Sequence, residues 1–223
     1  MADPGRIDNR LMFAFAHDLR SHLRTIRTRV ELVQSGDAQL PEQDRSLLQE
    51  AVIAAGEMNG LIDAMVSYCD AGYTEGEVPL RLVLRGVLIE TRALIADAGA
   101  KVTIVNEPDV TVPFALHTVI GELLTNSCRF CCPGTDPEIR IESRQIKPQE
   151  LEICVSDNGP GVGPEWLSRI FQPFVRLHPH TDYPGFGLGL ARCRKVVEAH
   201  GGSVSAGIAA GGGLAVTLLI PVT

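Results

Sequence analysis

The 223-residue sequence has no long uninterrupted apolar run. Nothing in it approaches the roughly 18 consecutive apolar residues of a bilayer-spanning helix. Its opening stretch, MADPGRIDNR, lacks the apolar core of a secretory leader. These absences predict a cytoplasmic chain with no direct membrane span. A basic excess is missing too: 20 Lys and Arg stand against 27 Asp and Glu, for a formal charge of −7. Nucleic-acid binders usually carry a basic surplus or a basic face, so that class is disfavoured. An anionic ligand has to be held locally. There is no internal repeat and no low-complexity segment.

Cysteine is present, but not in a metal-binding pattern. The run CRFCC supplies Cys128, Cys131 and Cys132, with Cys69, Cys154 and Cys193 scattered elsewhere. No second ligand pair at zinc spacing accompanies it. Without a leader, disulfides are disfavoured as well. The six are read as buried or half-buried thiols.

With 45% hydrophobic residues, the chain has enough apolar surface for a substantial core. Two periodicities divide it. Leu11, Phe15, Leu19, Leu23, Ile26, Val30 and Val33 step by threes and fours, as do Leu48, Val52, Ala55, Met58, Ile62, Met65 and Cys69. Pro41 stands where a first-turn proline is tolerated. The pattern predicts a helical hairpin over residues 1–72. One hairpin cannot bury both stripes, so a homodimer forming a dimeric four-helix bundle is expected. Beyond AGYTEGEVP, short β-branched runs alternate with helical segments over residues 78–223. Helices are expected at 81–98, 114–130 and 188–200, with strands at KVTIVN, EIRIESRQI, LEICVSD, GSVSAGI and LAVTLLIP. Consecutive strands with no helix between them point to antiparallel hairpins in an α+β two-layer sandwich.

Candidate ligand residues lie in this second half. Glycines cluster in DNGPG, GFGLGL and AGGGLAV. Glycine lets backbone approach a ligand closely, and GFGLGL runs straight into a helix whose free N–H groups suit phosphate. Glu122 and Asn126 are four apart and share a helix face. A carboxylate and an amide so placed can hold a hydrated magnesium ion. Arg129 is placed to meet phosphate charge. Asp157 ends a strand, where its carboxylate can accept from an exocyclic amine. The polar loop from Ile170 to Gly187 can close over a nucleotide as a lid.

Residues 114–221 resemble the ATP-binding domain of histidine kinases within the gyrase, chaperone, histidine-kinase and mismatch-repair superfamily. GELLTNSCRF is similar to its N box, DNGPG to its G1 box, IFQPF to its F box and GFGLGL to its G2 box. FAHDLRSHL resembles the H box of the kinases' dimerisation and phosphoacceptor domain. RLHPHTDYPGFGLGL is especially similar to the phytochrome-like branch. The resemblance implies a sensor histidine kinase core of a two-component system, with ATP and Mg2+ as cofactors and a response regulator receiver domain as partner. It makes His17 the phosphoacceptor, Asn126 a magnesium ligand and Asp157 the adenine contact. Glu122 becomes a base or a metal-associated carboxylate. Arg129 takes the place of the usual lysine, Gly159, Gly161, Gly185, Gly187 and Gly189 shape the nucleotide loops with Leu188 among the binding residues, and Arg176 and His178 reach phosphate from the lid. No sensor domain is recognisable, so the chain is either part of a longer receptor or takes its signal from separate proteins.

At about 100° per residue, His17 lies roughly 200° from Phe15, away from the apolar stripe, with Arg20, Ser21 and Arg24 on its side. A solvent-facing imidazole is expected. Neutral imidazole can attack phosphorus through Nε2, and free imidazole titrates near pH 6.5. Asp18 can accept the Nδ1 proton and stabilise the cation that forms. Two positions depart from the family pattern. Ser21 stands where threonine or asparagine orients water for partner dephosphorylation, so the resemblance does not extend to phosphatase activity. His22 stands where a helix-bending proline is usual, which predicts a straighter first helix. Two other readings compete: a dimeric scaffold or phosphotransfer protein with a degenerate nucleotide site, and a superfamily ATPase or serine kinase.

Overall fold

The computed structural model describes residues 9–35, 40–72, 75–177 and 185–222. Residues 36–39 and residues 178–184, which include His178 and part of the expected lid, lie outside the described residues. The chain divides into two compact units, Met1–Asp70 and Ala71–Thr223.

The first unit is a pair of long helices, α1 (Asn9–Ser35) and α2 (Glu42–Asp70). α1 runs unbroken through His22, which leaves its backbone N–H in place where proline would remove it. The expected single apolar stripe divides between two faces. Ala16 and Leu23 are buried with Ala55 and Ile62, and Val66 packs against them. Phe15, Leu19, Ile26 and Val33, from the same expected stripe, are exposed. The reason is geometric. Steps of three and four cover more than 100° of helix surface, and one neighbouring helix fills only part of that arc. Across the hairpin, Arg20 donates to Asp63 at 2.6 and 3.0 Å. Among the described residues no helix is long and apolar enough to cross a membrane.

The second unit is a mixed sheet packed on helices. Its elements are β1 (Glu77–Pro79), α3 (Leu80–Glu90), α4 (Arg92–Asp97), β2 (Lys101–Val105), β3 (Thr111–Pro113), α5 (Leu116–Arg129), β4 (Glu138–Lys147), β5 (Glu150–Asp157), a 3₁₀ turn (Pro164–Trp166), α6 (Gly189–Ala199), β6 (Ser203–Ile208) and β7 (Leu214–Pro221). The five-stranded sheet has the order β2-β4-β5-β7-β6. β2 runs parallel to β4, and the β4–β5, β5–β7 and β6–β7 pairs are antiparallel. Alternate residues of the three inner strands turn to one face: Ile139 and Ile141, Leu151 and Ile153, Leu218 and Ile220 are fully buried. They meet Leu80, Leu84, Leu116, Ile120 and Leu124 of α3 and α5. Each such side chain contributes about 1.5–3 kcal/mol by leaving water.

Two expectations need correction. The helix expected over 81–98 is two helices, α3 and α4. Thr91 interrupts it: both its N–H and its hydroxyl bond the Val87 carbonyl, at 2.9 and 2.7 Å, and such side-chain bonding back onto the preceding turn bends helices. β1 and β3, which pair as a separate two-stranded sheet, were not expected. At three residues each, they are too short to display an alternating pattern.

Candidate functional site

Asp157 ends β5 at the end of the sheet where β4 and β7 begin, because both neighbours run antiparallel to β5. Its carboxylate is held on both oxygens. Oδ1 accepts the N–H groups of Gly159 and Leu214, each at 3.0 Å. Oδ2 accepts the hydroxyl of Ser127, also at 3.0 Å. Ser127 lies on α5 and is 5% exposed. The glycine run before β7 makes this approach possible, since a Cβ on Gly213 would sit 2.1 Å from the Asp157 carbonyl oxygen. Asn158 then fastens the loop: Oδ1 accepts the Glu138 N–H at 2.8 Å and Nδ2 donates to the Asp136 carbonyl at 3.0 Å.

α5 and α6 pack together beside this carboxylate. Glu122 and Asn126 stand one turn apart on α5, and both are half-buried. The Glu122 carboxylate forms an ion pair with Arg192 of α6, whose Nη2 donates to Oε2. Its other oxygen lies against the first turn of α6; a Cβ on Gly189 would come within 2.5 Å of Oε1. A guanidinium and a helix N-terminus therefore both face this carboxylate, and both suit negative charge. Arg129 ends α5 and is exposed. Arg176 donates to the Gly185 carbonyl. The Phe174 N–H donates to Gly187 at 2.9 Å, and Leu188 is buried just before α6. Gly159 is buried, and Gly161 takes a positive φ of 64°.

Magnesium usually takes one or two protein oxygens, with phosphates and waters completing its shell. The Asn126 amide offers one such oxygen. Glu122 already has Arg192 as its partner. Among the described residues no group of three or more His, Cys, Asp or Glu side chains is arranged to hold a metal. This donor set fits a magnesium held chiefly by nucleotide phosphates.

In the helical hairpin, His17 and Asp18 are solvent-facing, with side chains 83% and 75% exposed. Nδ1 of His17 lies 3.2 Å from Oδ1 of Asp18. A ring protonated at Nδ1 donates to that oxygen and leaves the Nε2 lone pair outward. One turn on, Ser21 is exposed, and its carbonyl accepts the Thr25 hydroxyl at 3.0 Å.

Ser127, Asn158 and Arg192 were missed in the sequence. Arg192 meets a carboxylate 70 residues away, and no local pattern announces that partner. Ser127 sits beside Asn126 but reads as an ordinary helix residue. Asn158 belongs to DNGPG, where only the aspartate and the glycines drew notice.

Residues 111–223 match the family described as histidine kinase-, DNA gyrase B-, and HSP90-like ATPase. Over 203 residues the chain is 34% identical to the signal transduction histidine-protein kinase/phosphatase MprB of Mycobacterium ulcerans, covering 87% of this chain and 39% of that protein. It is 28% identical over 194 residues to the phytochrome-like protein Cph1 of a Synechocystis species, covering 85% of this chain and 26% of that one. Among solved structures, full-length ShkA in complex with AMPPNP superposes with a TM-score of 0.69 at 21% identity, covering 97% of this chain and 46% of ShkA. The chain thus spans less than half the length of each of these relatives. It belongs to the histidine kinase-, DNA gyrase B- and HSP90-like ATPase family and is a homologue of the sensor histidine kinases.

Proposed function

We propose that this chain is an ATP-dependent protein histidine kinase that phosphorylates its own His17 and passes the phosphoryl group to an aspartate of a response regulator. The observation that carries this reading is the exposed His17 ring, with Nδ1 beside Asp18, in a chain that also holds an ATPase-family domain. Nε2 attacks the γ-phosphorus, the bond to the β–γ bridging oxygen breaks, and ADP leaves with that electron pair. The Nδ1 proton stays on the ring, and Asp18 stabilises the imidazolium that forms.

In the nucleotide domain, Asp157 accepts from the adenine amine, and the glycine loops around Gly159, Gly161, Gly185, Gly187 and Gly189 pass the phosphates. Arg129 and Arg176 supply positive charge there. Asn126 would hold magnesium, which offsets phosphate charge when bound. Glu122 is the base or metal-associated carboxylate of the site, and Arg192 braces it in place. The exposed apolar residues Phe15, Leu19, Ile26 and Val33 support a homodimer built on the hairpins. The kinase works in the cytoplasm.

Incubation with γ-labelled ATP tests this. The wild-type chain and His22→Gln take up acid-labile, base-stable label, and His17→Gln takes up none. Label retained in His17→Gln overturns the assignment. Acid-stable label marks a serine kinase instead, and ATP binding without label marks a scaffold.

A further inference from the structure

The two oxygens of the Asp157 carboxylate are not equivalent. Oδ1 accepts two backbone N–H groups, which uses both of its in-plane lone pairs. Oδ2 accepts Ser127 alone among the described residues, so one lone-pair direction remains. The Ser127 hydroxyl has a single hydrogen, and that hydrogen is committed to Asp157. What Ser127 can still offer a ligand is an acceptor. Side by side, the two groups form a surface that accepts hydrogen bonds and donates none.

We infer that Ser127 is the positioning residue that sets base selectivity at Asp157: its bond to Oδ2 fixes the carboxylate so that the remaining lone pair meets the exocyclic amine of adenine. This rests on the nucleotide reading above. The 6-amine of adenine donates, which this surface requires. Guanine presents a carbonyl oxygen at the same ring position, and acceptor would face acceptor. An unsubstituted purine presents only C–H there and leaves Oδ2 unmet. Sites built to bond a ligand N–H reject analogues lacking it, because the buried acceptor is left unpaired. Ser127 is 5% exposed, so water is a poor substitute for its hydroxyl.

The test measures equilibrium binding of ATP, GTP and purine riboside triphosphate to the full chain. The wild-type chain prefers ATP over purine riboside triphosphate about tenfold or more. Ser127→Ala weakens ATP binding about tenfold and leaves the amine-free analogue nearly unchanged, so the preference collapses. Ser127→Thr keeps the hydroxyl and restores the preference. Ser127→Cys, a weaker donor of similar size, falls between and serves if the alanine variant fails to fold. An equal loss for both nucleotides in Ser127→Ala, or an unchanged preference, overturns the inference and reduces Ser127 to a packing residue. A wild-type chain that binds no ATP overturns the nucleotide reading itself, and that arm is scored before any variant.

Discussion

Arg192 of α6 and Glu122 of α5 meet in an ion pair with side chains only 25% and 18% exposed. It ties the helix bearing Asn126 to the helix that the glycine-rich loop enters. Removing the guanidinium leaves a carboxylate confined against the Gly189 backbone. Exposed pairs contribute under about 1 kcal/mol, and breaking fully buried pairs costs about 3–5. Arg192→Met is therefore expected to destabilise the chain by about 2 kcal/mol. Glu122→Gln, which keeps an acceptor for the guanidinium, costs about half as much. Urea unfolding of the full chain measures both, and a neutral Arg192→Met removes the brace from the account.

The His17–Asp18 contact predicts a catalytic effect without a stability effect, since both side chains are largely in water. Asp18→Asn should slow autophosphorylation about a hundredfold while ATP affinity and the unfolding midpoint stay put. Single-turnover labelling at saturating ATP separates the chemical step from binding. An undiminished rate would show that the ring needs no carboxylate.

Ser143 on β4 is fully buried, and its hydroxyl has no hydrogen-bond partner among the described residues. An unpaired buried hydroxyl costs about 1–3 kcal/mol. Ser143→Ala should therefore stabilise the second unit by about 1 kcal/mol and raise Tm by about 2–4 °C. Calorimetry reads the shift, and a lower Tm would point to a partner for the hydroxyl.

Thiol reactivity should follow burial. Burial, helped by the Glu122 charge, pushes the Cys193 thiol well above its ordinary value of 9.0. Burial, and secondarily Cys131, raises Cys128. Both should resist iodoacetamide at pH 8, while the half-buried Cys131, Cys132 and Cys154 are modified first. Peptide mass spectrometry gives the order. The folded chain keeps these protons more tightly than the unfolded one, so their contribution to stability is whole below the ordinary thiol value of 9.0 and declines as pH rises past it.

Much of this molecule was legible before folding was considered. The spans of β4, β5, β7, α5 and α6 followed from alternation and from steps of three and four, because each buries one face on a single core. DNGPG and GFGLGL were legible because glycine at a close approach leaves a mark in sequence. α3 and α4 were not separable, since Thr91 interrupts the helix with a bond to its own preceding turn, and the apolar period continues across it.

The sequence by itself determined the two halves, the outward His17 and the acidic end of β5, all of which depend on local periodicity and residue chemistry. Tertiary structure alone decided that β2 lies parallel to β4, that Leu214 and Ser127 converge on Asp157, and that Glu122 faces Arg192. Those pairings join residues that are 30 to 70 positions apart in the chain. Sheet order and helix packing bring them together, and no local pattern carries that information.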